Sequence, residues 1–455
     1  MTPAPTGTIW KVASVAVLGS FLAQIDATML ATALPVLAAD MGADLAAIQW
    51  VVTGYLLAMV LMLPVAGVLV ERIGARNLYL ACYAGFGISA ALCGLAWSAG
   101  SLIALRVLHG MVGGLMAPLA QMMIARVAGA GMGRIAGFAA IPILMGPVLG
   151  PVLAGFVLTW LDWRWLFAFT AGFATVGFAL AWFFLPDEAG QSREAAKPVD
   201  WTGLVLLSPA LVLLLSSLTR IATPEGAVGL AVAVVLLALF VQHLRRKGSA
   251  ALIDPALLRL PVLRGAAMVQ FLTVGVTMAC QILLPVFLQT GLGRPVAEAG
   301  MLIAPLGLGL LIAWPLMGGL VERFGPRRVA RSGTAAALLA IGLLIGIAGG
   351  VAGQILLPVA LLLLGIGQGA TGLAAMTAGY GAVPKAALAS AATILNIAQR
   401  LGGPVLATLC GTLLGWLLQG MGEGEPHPEA FVITFGLVAA ALAACMLAAR
   451  ELPDR

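Results

Sequence analysis

Apolar residues along the chain come in repeated runs of about twenty, separated by short polar segments. A helix of this length crosses a hydrocarbon layer of roughly 30 Å, and in lipid it satisfies its own backbone polar groups. The pattern predicts fourteen transmembrane helices, at residues 12–35, 48–70, 78–98, 101–125, 135–160, 164–185, 202–219, 226–244, 265–289, 297–321, 330–349, 354–378, 389–418 and 430–449. The alternative is a count of twelve, in which the seventh and eighth runs form one re-entrant pair.

The composition excludes a water-soluble protein, because 62% of the 455 residues are hydrophobic and only 9% are charged. Soluble domains carry roughly 25% charged residues. The longest polar segments, around 186–201 and 245–264, are linkers too short to fold alone, so no catalytic domain and no enzyme activity is expected. All five cysteines lie in apolar runs, which disfavours disulfides. The sequence contains no phosphate-binding loop and no metal-ligand spacing. We therefore expect no cofactor. Without ATP hydrolysis, any transport by this chain would draw on an ion gradient, and we expect a proton gradient as the energy source.

Basic residues are distributed unevenly between the two sides that this topology defines. With the N-terminus inside, 19 of the 24 Lys and Arg residues fall in cytoplasmic segments. This asymmetry follows the positive-inside rule and places both termini in the cytoplasm. The net charge of +6 is therefore a topology signal and does not indicate nucleic acid binding. Clusters such as Arg245-Arg246-Lys247 are candidates for contact with anionic lipid headgroups.

A charged segment after the second run recurs after the tenth. Gly67-Val-Leu-Val-Glu71-Arg72-Ile-Gly74-Ala-Arg76 is repeated 251 residues later as Gly318-Gly-Leu-Val-Glu322-Arg323-Phe-Gly325-Pro-Arg327. Two halves in the same orientation are one of the repeat arrangements of secondary transporters. We expect a six-helix bundle over 1–186, a linker with two extra transmembrane helices over 187–264, and a second six-helix bundle over 265–455.

Both copies resemble the loop motif of the major facilitator superfamily, G-x-L-x-D-R-x-G-R-R. Further motifs narrow the resemblance to the fourteen-helix drug:proton antiporter branch of the EmrB/QacA type. They are Asp26-Ala-Thr28-x-x-x-x-Ala33-Leu34-Pro35, Arg106-x-x-His109-Gly110, Gly146-Pro147-x-x-Gly150-Pro151 and Trp163-Arg164-Trp165. Glu71 stands where Asp is usual, and His109 replaces a common Gln. The resemblance implies an all-α membrane protein with the major facilitator fold, two six-helix bundles plus two inserted helices.

The resemblance also implies roles for two sets of residues. The repeated loop would be a conformational latch, formed by Gly67, Glu71, Arg72, Gly74, Arg76, Gly318, Glu322, Arg323, Gly325 and Arg327. Helix five would carry the antiporter motif that seals the cavity and limits leak, formed by Gly146, Pro147, Gly150 and Pro151. The alternatives are a charged run at the membrane surface for the first set and a kinked packing helix for the second.

Asp26 is the most informative residue because it lies in the middle of the first predicted helix. An ionised carboxylate at this depth costs about 3 kcal/mol or more, and burial disfavours the charged form. Asp26 is therefore a candidate for proton coupling, with Arg106 and His109, which share one face of helix four. The alternatives are an Asp26 that only fixes helix packing, an Arg106 that snorkels to the interface, and a His109 bonded to a carbonyl. The matching position in the second half is Val276, so the architecture alone requires no acid there.

Polar and aromatic residues in other runs are candidates for lining a substrate cavity. Three of them cluster within little more than one turn of helix thirteen. The full set is Gln24, Trp50, Gln121, Gln270, Gln281, Asn396, Gln399 and Arg400. The alternative for the glutamines is a hydrogen bond between helices, and for Arg400 an ion pair that holds its helix.

These features predict a proton-coupled secondary active efflux transporter, a drug:proton antiporter that works by alternating access in a bacterial inner membrane. Its partners would be a small-molecule substrate, protons and membrane lipid. We expect a monomer, with periplasmic or outer-membrane efflux proteins as candidate accessory partners. The alternative is export of a specific metabolite, such as an organic anion or metal chelate, because three basic residues in the membrane (Arg106, His109 and Arg400) accompany one carboxylate. A more distant alternative is a non-transporting membrane sensor or scaffold.

Overall fold

The computed structural model describes residues 6–128, 132–186, 200–218, 220–221, 223–248, 251–384, 387–419 and 428–454. Within these residues the chain forms fourteen helices of 18 or more residues. In order they are α1 Thr6–Met41, α2 Trp50–Ile73, α3 Ala75–Gly94, α4 Ala99–Ala128, α5 Met132–Trp160, α6 Arg164–Phe184, α7 Trp201–Leu218, α8 Pro224–Lys247, α9 Pro261–Val286, α10 Val296–Phe324, α11 Pro326–Ala348, α12 Leu357–Gly381, α13 Leu388–Gln419 and α14 Pro428–Ala448. Each predicted run overlaps one of them, so the all-α prediction is confirmed.

Nearly all of these helices satisfy the requirements for crossing a membrane. Among the described residues, thirteen are long and apolar enough to span it. In α5 the apolar stretch is the shorter segment Leu149–Trp160. The seventh and eighth runs form two separate helices, α7 and α8, and each is long enough to span. This agrees with a count of fourteen rather than twelve.

The chain divides into two compact units. The first comprises Met1–Gly129, Ala139–Ala256 and Lys385–Thr393, and the second comprises Ala130–Phe138, Leu257–Pro384 and Ile394–Arg455. In the first unit α1 packs on α4 and α6, α3 packs on α4 and α6, and α2 packs on α4. In the second unit α9, α10 and α11 repeat this scheme with α12 and α14. The same neighbours recur eight helices later, as expected for a parallel repeat interrupted by two inserted helices.

The second unit packs the position equivalent to Asp26 without any charge. Val276 is fully buried there, in an apolar cluster that includes Phe287, Phe431 and Phe435. The Phe287 ring lies 5.2 Å from that of Phe431 and 5.4 Å from that of Phe435, between ring centroids. The repeated architecture is therefore stable with a valine at this position.

The inserted helices α7 and α8 pack on each other and are joined at one end by a buried carboxylate. Asp200, which precedes α7, accepts hydrogen bonds from Lys247 Nζ at 2.8 Å and from the backbone N–H of Gly203 and Leu252 at 3.1 and 2.9 Å. His243 Nε2 lies 2.8 Å from the same carboxylate. Burial opposes ionisation, but these bonds outweigh it and lower the pKa of Asp200 to about 2.

Replacing Asp200 with Asn is expected to destabilise the protein by about 1–2 kcal/mol at neutral pH, because a charge-assisted network is lost. The folded-state pKa lies below the ordinary value of 3.8. Ionised Asp200 therefore stabilises the fold above about pH 4, and this contribution disappears as the pH falls toward 2. Thermal unfolding of native protein and Asp200→Asn should show a smaller difference in stability at pH 3 than at pH 7. The exposed Asp44→Asn serves as control, and an unchanged difference at pH 3 would contradict this account.

Candidate functional site

The first unit buries an ion pair between α1 and α4. Asp26 and Arg106 are both fully buried, and Arg106 Nη1 donates to Asp26 Oδ2 at 2.7 Å. Either charge alone would be costly at this depth, but a short charge-assisted hydrogen bond lets each neutralise the other. Arg106 therefore points to Asp26 and does not snorkel to the interface.

Aromatic rings and one carbonyl hold the guanidinium of Arg106 in place. Its central carbon lies 4.0 Å from the ring centroid of Tyr55 and 5.9 Å from that of Phe167, within cation–π range. Arg106 Nε donates to the carbonyl of Val51 at 3.3 Å. The Tyr55 hydroxyl donates to the carbonyl of Ala23 at 3.1 Å, which fixes the ring. Among the described residues, Arg106 Nη2 has no hydrogen-bond partner.

His109 connects the carboxylate to α3. Its Nε2 lies 3.5 Å from Asp26 Oδ2, and its Nδ1 lies 2.7 Å from Ser89 Oγ. The imidazole packs on Phe86 with a centroid distance of 4.0 Å. Thr170 of α6 adds a hydroxyl 3.4 Å from Asp26 Oδ1. Side chains of α4 and α6 thus contact the Asp26 carboxylate of α1 directly, and side chains of α2 and α3 contact its partners Arg106 and His109.

Two glycines let α5 approach α1 close to Asp26. A Cβ on Gly146 would lie 2.9 Å from Cγ of Gln24, and a Cβ on Gly150 would collide with the Thr28 hydroxyl. That hydroxyl lies 3.2 Å from the carbonyl of Gly146, to which it can donate. Small residues at this spacing permit close helix packing.

The two copies of the loop segment adopt the same backbone conformation. Gly74 has φ 82° and ψ 155°, and Gly325 has φ 85° and ψ 153°. Each glycine ends one helix and precedes the next. A positive φ is costly for residues with a Cβ, which explains glycine at both positions.

The last arginine of each copy binds a carbonyl just after the sixth helix of its own half, α6 in the first half and α14 in the second. Arg76 Nε donates to the carbonyl of Leu185, after α6, at 3.1 Å. Arg327 Nε donates to the carbonyl of Leu452, after α14, at 2.6 Å, and its Nη1 pairs with Asp454. Both arginines satisfy carbonyls that a helix C-terminus leaves open.

The sequence matches the Major Facilitator Superfamily over residues 16–407. The chain belongs to this superfamily. A multidrug resistance protein B homolog of Mycobacterium tuberculosis (strain ATCC 25618 / H37Rv) is 31% identical over 416 residues, covering 89% of this chain and 76% of the relative. A Salmonella typhi relative named MdtD is 30% identical over 434 residues, covering 91% of this chain and 88% of the relative. The resemblance stated from the motifs is confirmed.

Solved structures of the superfamily share the fold. The human organic anion transporter MFSD10 (TETRAN) superposes with a TM-score of 0.67 at 16% identity, covering 97% of this chain and 100% of that one. The proton:xylose symporter XylE gives 0.64 at 17% identity, covering 97% and 96%. At this identity the likeness establishes the major facilitator fold alone.

The predicted cavity residues of this superfamily member have varied surroundings. Gln24 is half-buried, Gln281 is exposed, and Gln121, Gln399 and Arg400 are half-buried. Trp50 is 40% exposed and lies under Arg220, with 5.7 Å between guanidinium and ring centroid. Gln270 is buried and donates to the carbonyl of Gly372 at 2.9 Å, and Asn396 bonds Tyr380. Gln270 thus makes the helix–helix bond that was the alternative, and the cavity role of the others stays a prediction.

The other predicted latch and motif residues differ in how far they are exposed. Arg72, Glu322 and Pro151 are exposed, Gly67 is half-buried, Gly318 is buried, and Arg323 lies 5.2 Å from the Phe324 ring centroid. The side chains of Glu71 and Pro147 lie outside the described part of the structure. The latch and sealing roles stay predictions.

Five residues of the site were not predicted from the sequence, namely Tyr55, Phe86, Ser89, Phe167 and Thr170. Ser89 and Thr170 are isolated hydroxyls in long apolar runs, and that isolation is the signal that could have marked them. The three aromatic residues had no such signal, because rings in transmembrane helices are common packing material.

Proposed function

We propose that this protein exports lipophilic or cationic drug-like molecules in exchange for protons, by alternating access. The observation that carries the proposal is the fully buried Asp26–Arg106 pair in a chain of the major facilitator superfamily. A buried acid whose partner can be released is suited to bind a proton in one conformation and lose it in another.

A proton from the outside neutralises Asp26 and removes the attraction that holds Arg106. The neutral acid no longer stabilises the buried guanidinium, so the packing of α1 against α4 changes with the protonation state. Substrate leaves to the outside, and the protein then returns to the inward-facing state. Asp26 releases its proton to the cytoplasm, and the ion pair forms again.

The relatives favour a drug over a defined metabolite as the substrate. Two relatives at 30–31% identity carry multidrug-resistance names. The organic anion transporter shares 16% identity and supports the fold only. We therefore place an organic anion or metal chelate second, and a non-transporting sensor or scaffold third.

The membrane context completes the proposal. We propose a multi-pass protein of the bacterial cytoplasmic membrane, with both termini in the cytoplasm, acting as a monomer and open to accessory periplasmic or outer-membrane partners. It needs no bound cofactor. One proton crossing about 100 mV releases roughly 2.3 kcal/mol, which sustains about a 50-fold solute gradient.

Transport by proteoliposomes under an imposed pH gradient tests the proposal. Native protein should accumulate ethidium in response to the gradient, up to about 50-fold, and an uncoupler should abolish the accumulation. Asp26→Asn should reduce accumulation to near equilibrium while retaining ethidium exchange without a gradient, because the proton site is lost and alternation is not.

The control for this experiment is Asp44→Asn, which removes an exposed acid outside the helices. It should transport like native protein. Gradient-dependent accumulation by Asp26→Asn would overturn the assignment of the proton site. Accumulation of citrate in place of ethidium would favour the organic-anion alternative, and no solute-dependent proton flux would favour the sensor.

A further inference from the structure

The hydroxyl of Ser89 has its single hydrogen already committed. Ser89 Oγ lies 2.6 Å from the carbonyl oxygen of Gly85, and both oxygens would repel at that distance without a hydrogen between them. A carbonyl can only accept, so the hydroxyl must donate to Gly85. Ser89 therefore has only lone pairs left for any other partner.

That arrangement fixes the hydrogen on the His109 ring. His109 Nδ1 lies 2.7 Å from Ser89 Oγ, a full hydrogen bond between two fully buried side chains. Because Ser89 can only accept, Nδ1 must carry the hydrogen and donate it. In the neutral ring Nε2 then has a free lone pair.

The free nitrogen faces the acid. His109 Nε2 lies 3.5 Å from Asp26 Oδ2 and has no hydrogen-bond partner among the described residues. A bare lone pair beside a carboxylate is unfavourable, whereas a proton placed between the two atoms makes a hydrogen bond whichever atom holds it.

We infer that Ser89 is a positioning residue that keeps His109 Nε2 as a proton acceptor, so that His109 and Asp26 together hold the transported proton. The inference rests on the proposed function, because it assigns the proton of that same site. Protonation adds one proton to the pair from the outer aqueous side, and deprotonation releases one to the cytoplasm, with no other bond made or broken.

Other groups around the pair limit where the proton can sit. Arg106 of α4 is a permanent cation that pairs with Asp26 Oδ2. The Tyr55 ring of α2 lies 5.6 Å from the His109 ring, measured between centroids. Cys93 of α3 is close enough to interact with both Arg106 and Asp26. The Tyr55 hydroxyl is committed to a backbone carbonyl. Of these neighbours, His109 Nε2 is the free acceptor aimed at the acid.

Nitrogen NMR of the full-length protein in lipid measures the position of the ring hydrogen directly. The chain has three histidines, so ¹⁵N-histidine labelling gives few signals, and His109→Asn identifies those of His109. At high pH we expect a protonated Nδ1 and an unprotonated Nε2 in native protein. Ser89→Ala should move the hydrogen to Nε2, which then donates to the carboxylate. A native ring protonated on Nε2 alone would overturn the inference.

The pH dependence of transport gives a second, independent readout. In Ser89→Ala the donated Nε2–H stabilises ionised Asp26, so half-maximal proton-coupled transport should move to lower pH by about one unit. Ser89→Thr keeps the hydroxyl and should restore the native profile. Ser208→Ala is the matched control, because Ser208 is buried in α7 and its hydroxyl has no partner among the described residues.

The outcomes separate the two proposals. If Asp26→Asn abolishes coupling but Ser89→Ala shifts neither the profile nor the ring hydrogen, only the role of Ser89 is wrong. If Asp26→Asn still couples, the proton site is wrong while the NMR result still reports on Ser89. If Ser89→Ala lowers transport equally at every pH and leaves the ring hydrogen of His109 in place, Ser89 serves only packing and the inference is wrong.

Discussion

Replacing Arg106 with Met is expected to lower the free energy of unfolding by about 3–5 kcal/mol, because Asp26 would stay buried without its cation. Both side chains are fully buried, and their hydrogen bond is 2.7 Å long. Methionine fills a similar volume against Tyr55, so the loss reports the unpaired charge more than a cavity. Thermal or denaturant unfolding in detergent at neutral pH measures it.

The double variant Arg106→Met with Asp26→Asn should recover most of that loss in unfolding free energy, since removing both charges removes the desolvation penalty as well.

The surface control is Arg164→Met. Arg164 pairs with Asp162 at 2.9 Å but is 43% exposed at its side chain, so its loss should cost less than about 1 kcal/mol. The account fails if Arg106→Met unfolds like Arg164→Met, or if the double variant is no more stable than the single one.

The sequence predicted the helices and the repeat because both depend on local patterns. Runs of apolar residues set each helix, and the spacing Gly74–Arg76 recurs as Gly325–Arg327 because both loops need the same positive φ and the same arginine cap. The predicted and observed helix boundaries differ by up to six residues: the first helix, predicted over 12–35, spans Thr6–Met41, and the third, predicted to end at 98, ends at Gly94. Helix ends depend on capping contacts that apolar runs do not reveal.

The site was predicted in part, for a physical reason. Burial in lipid makes a charged residue improbable unless it has a use, so Asp26 and Arg106 were visible from type and depth alone. Helical periodicity also placed His109 on the face of Arg106. Helical periodicity could not predict that Ser89 and Thr170 belong to the site, because their contacts with His109 and Asp26 join residues 20 and 144 positions apart in the chain. The Asp200 cluster was missed for the same reason, since His243 and Lys247 lie 43 and 47 positions away.

Replacing Gly110 with Ala is expected to destabilise the protein by about 3 kcal/mol, because α4 touches the backbone of α2 at this point. An added Cβ would collide with the carbonyl oxygen of Tyr55 and lie 2.9 Å from its Cα. Backbone cannot rotate away as a flexible side chain can, so the two helices must separate. Tyr55 carries the ring that stacks on Arg106. We therefore expect loss of proton-coupled transport as well as a lower unfolding temperature.

Gly100→Ala, on the same helix, is the matched control because a Cβ there would meet nothing within 4 Å. The same added methyl should be neutral or slightly stabilising, by up to about 1 kcal/mol, since alanine favours helix more than glycine does. Comparing the two variants therefore separates the stability lost through the clash with α2 from the stability gained through helix propensity. Equal stability of Gly110→Ala and Gly100→Ala would show that α2 and α4 are not in backbone contact. Normal transport by a destabilised Gly110→Ala would show that the Tyr55 ring need not stay against the guanidinium for coupling.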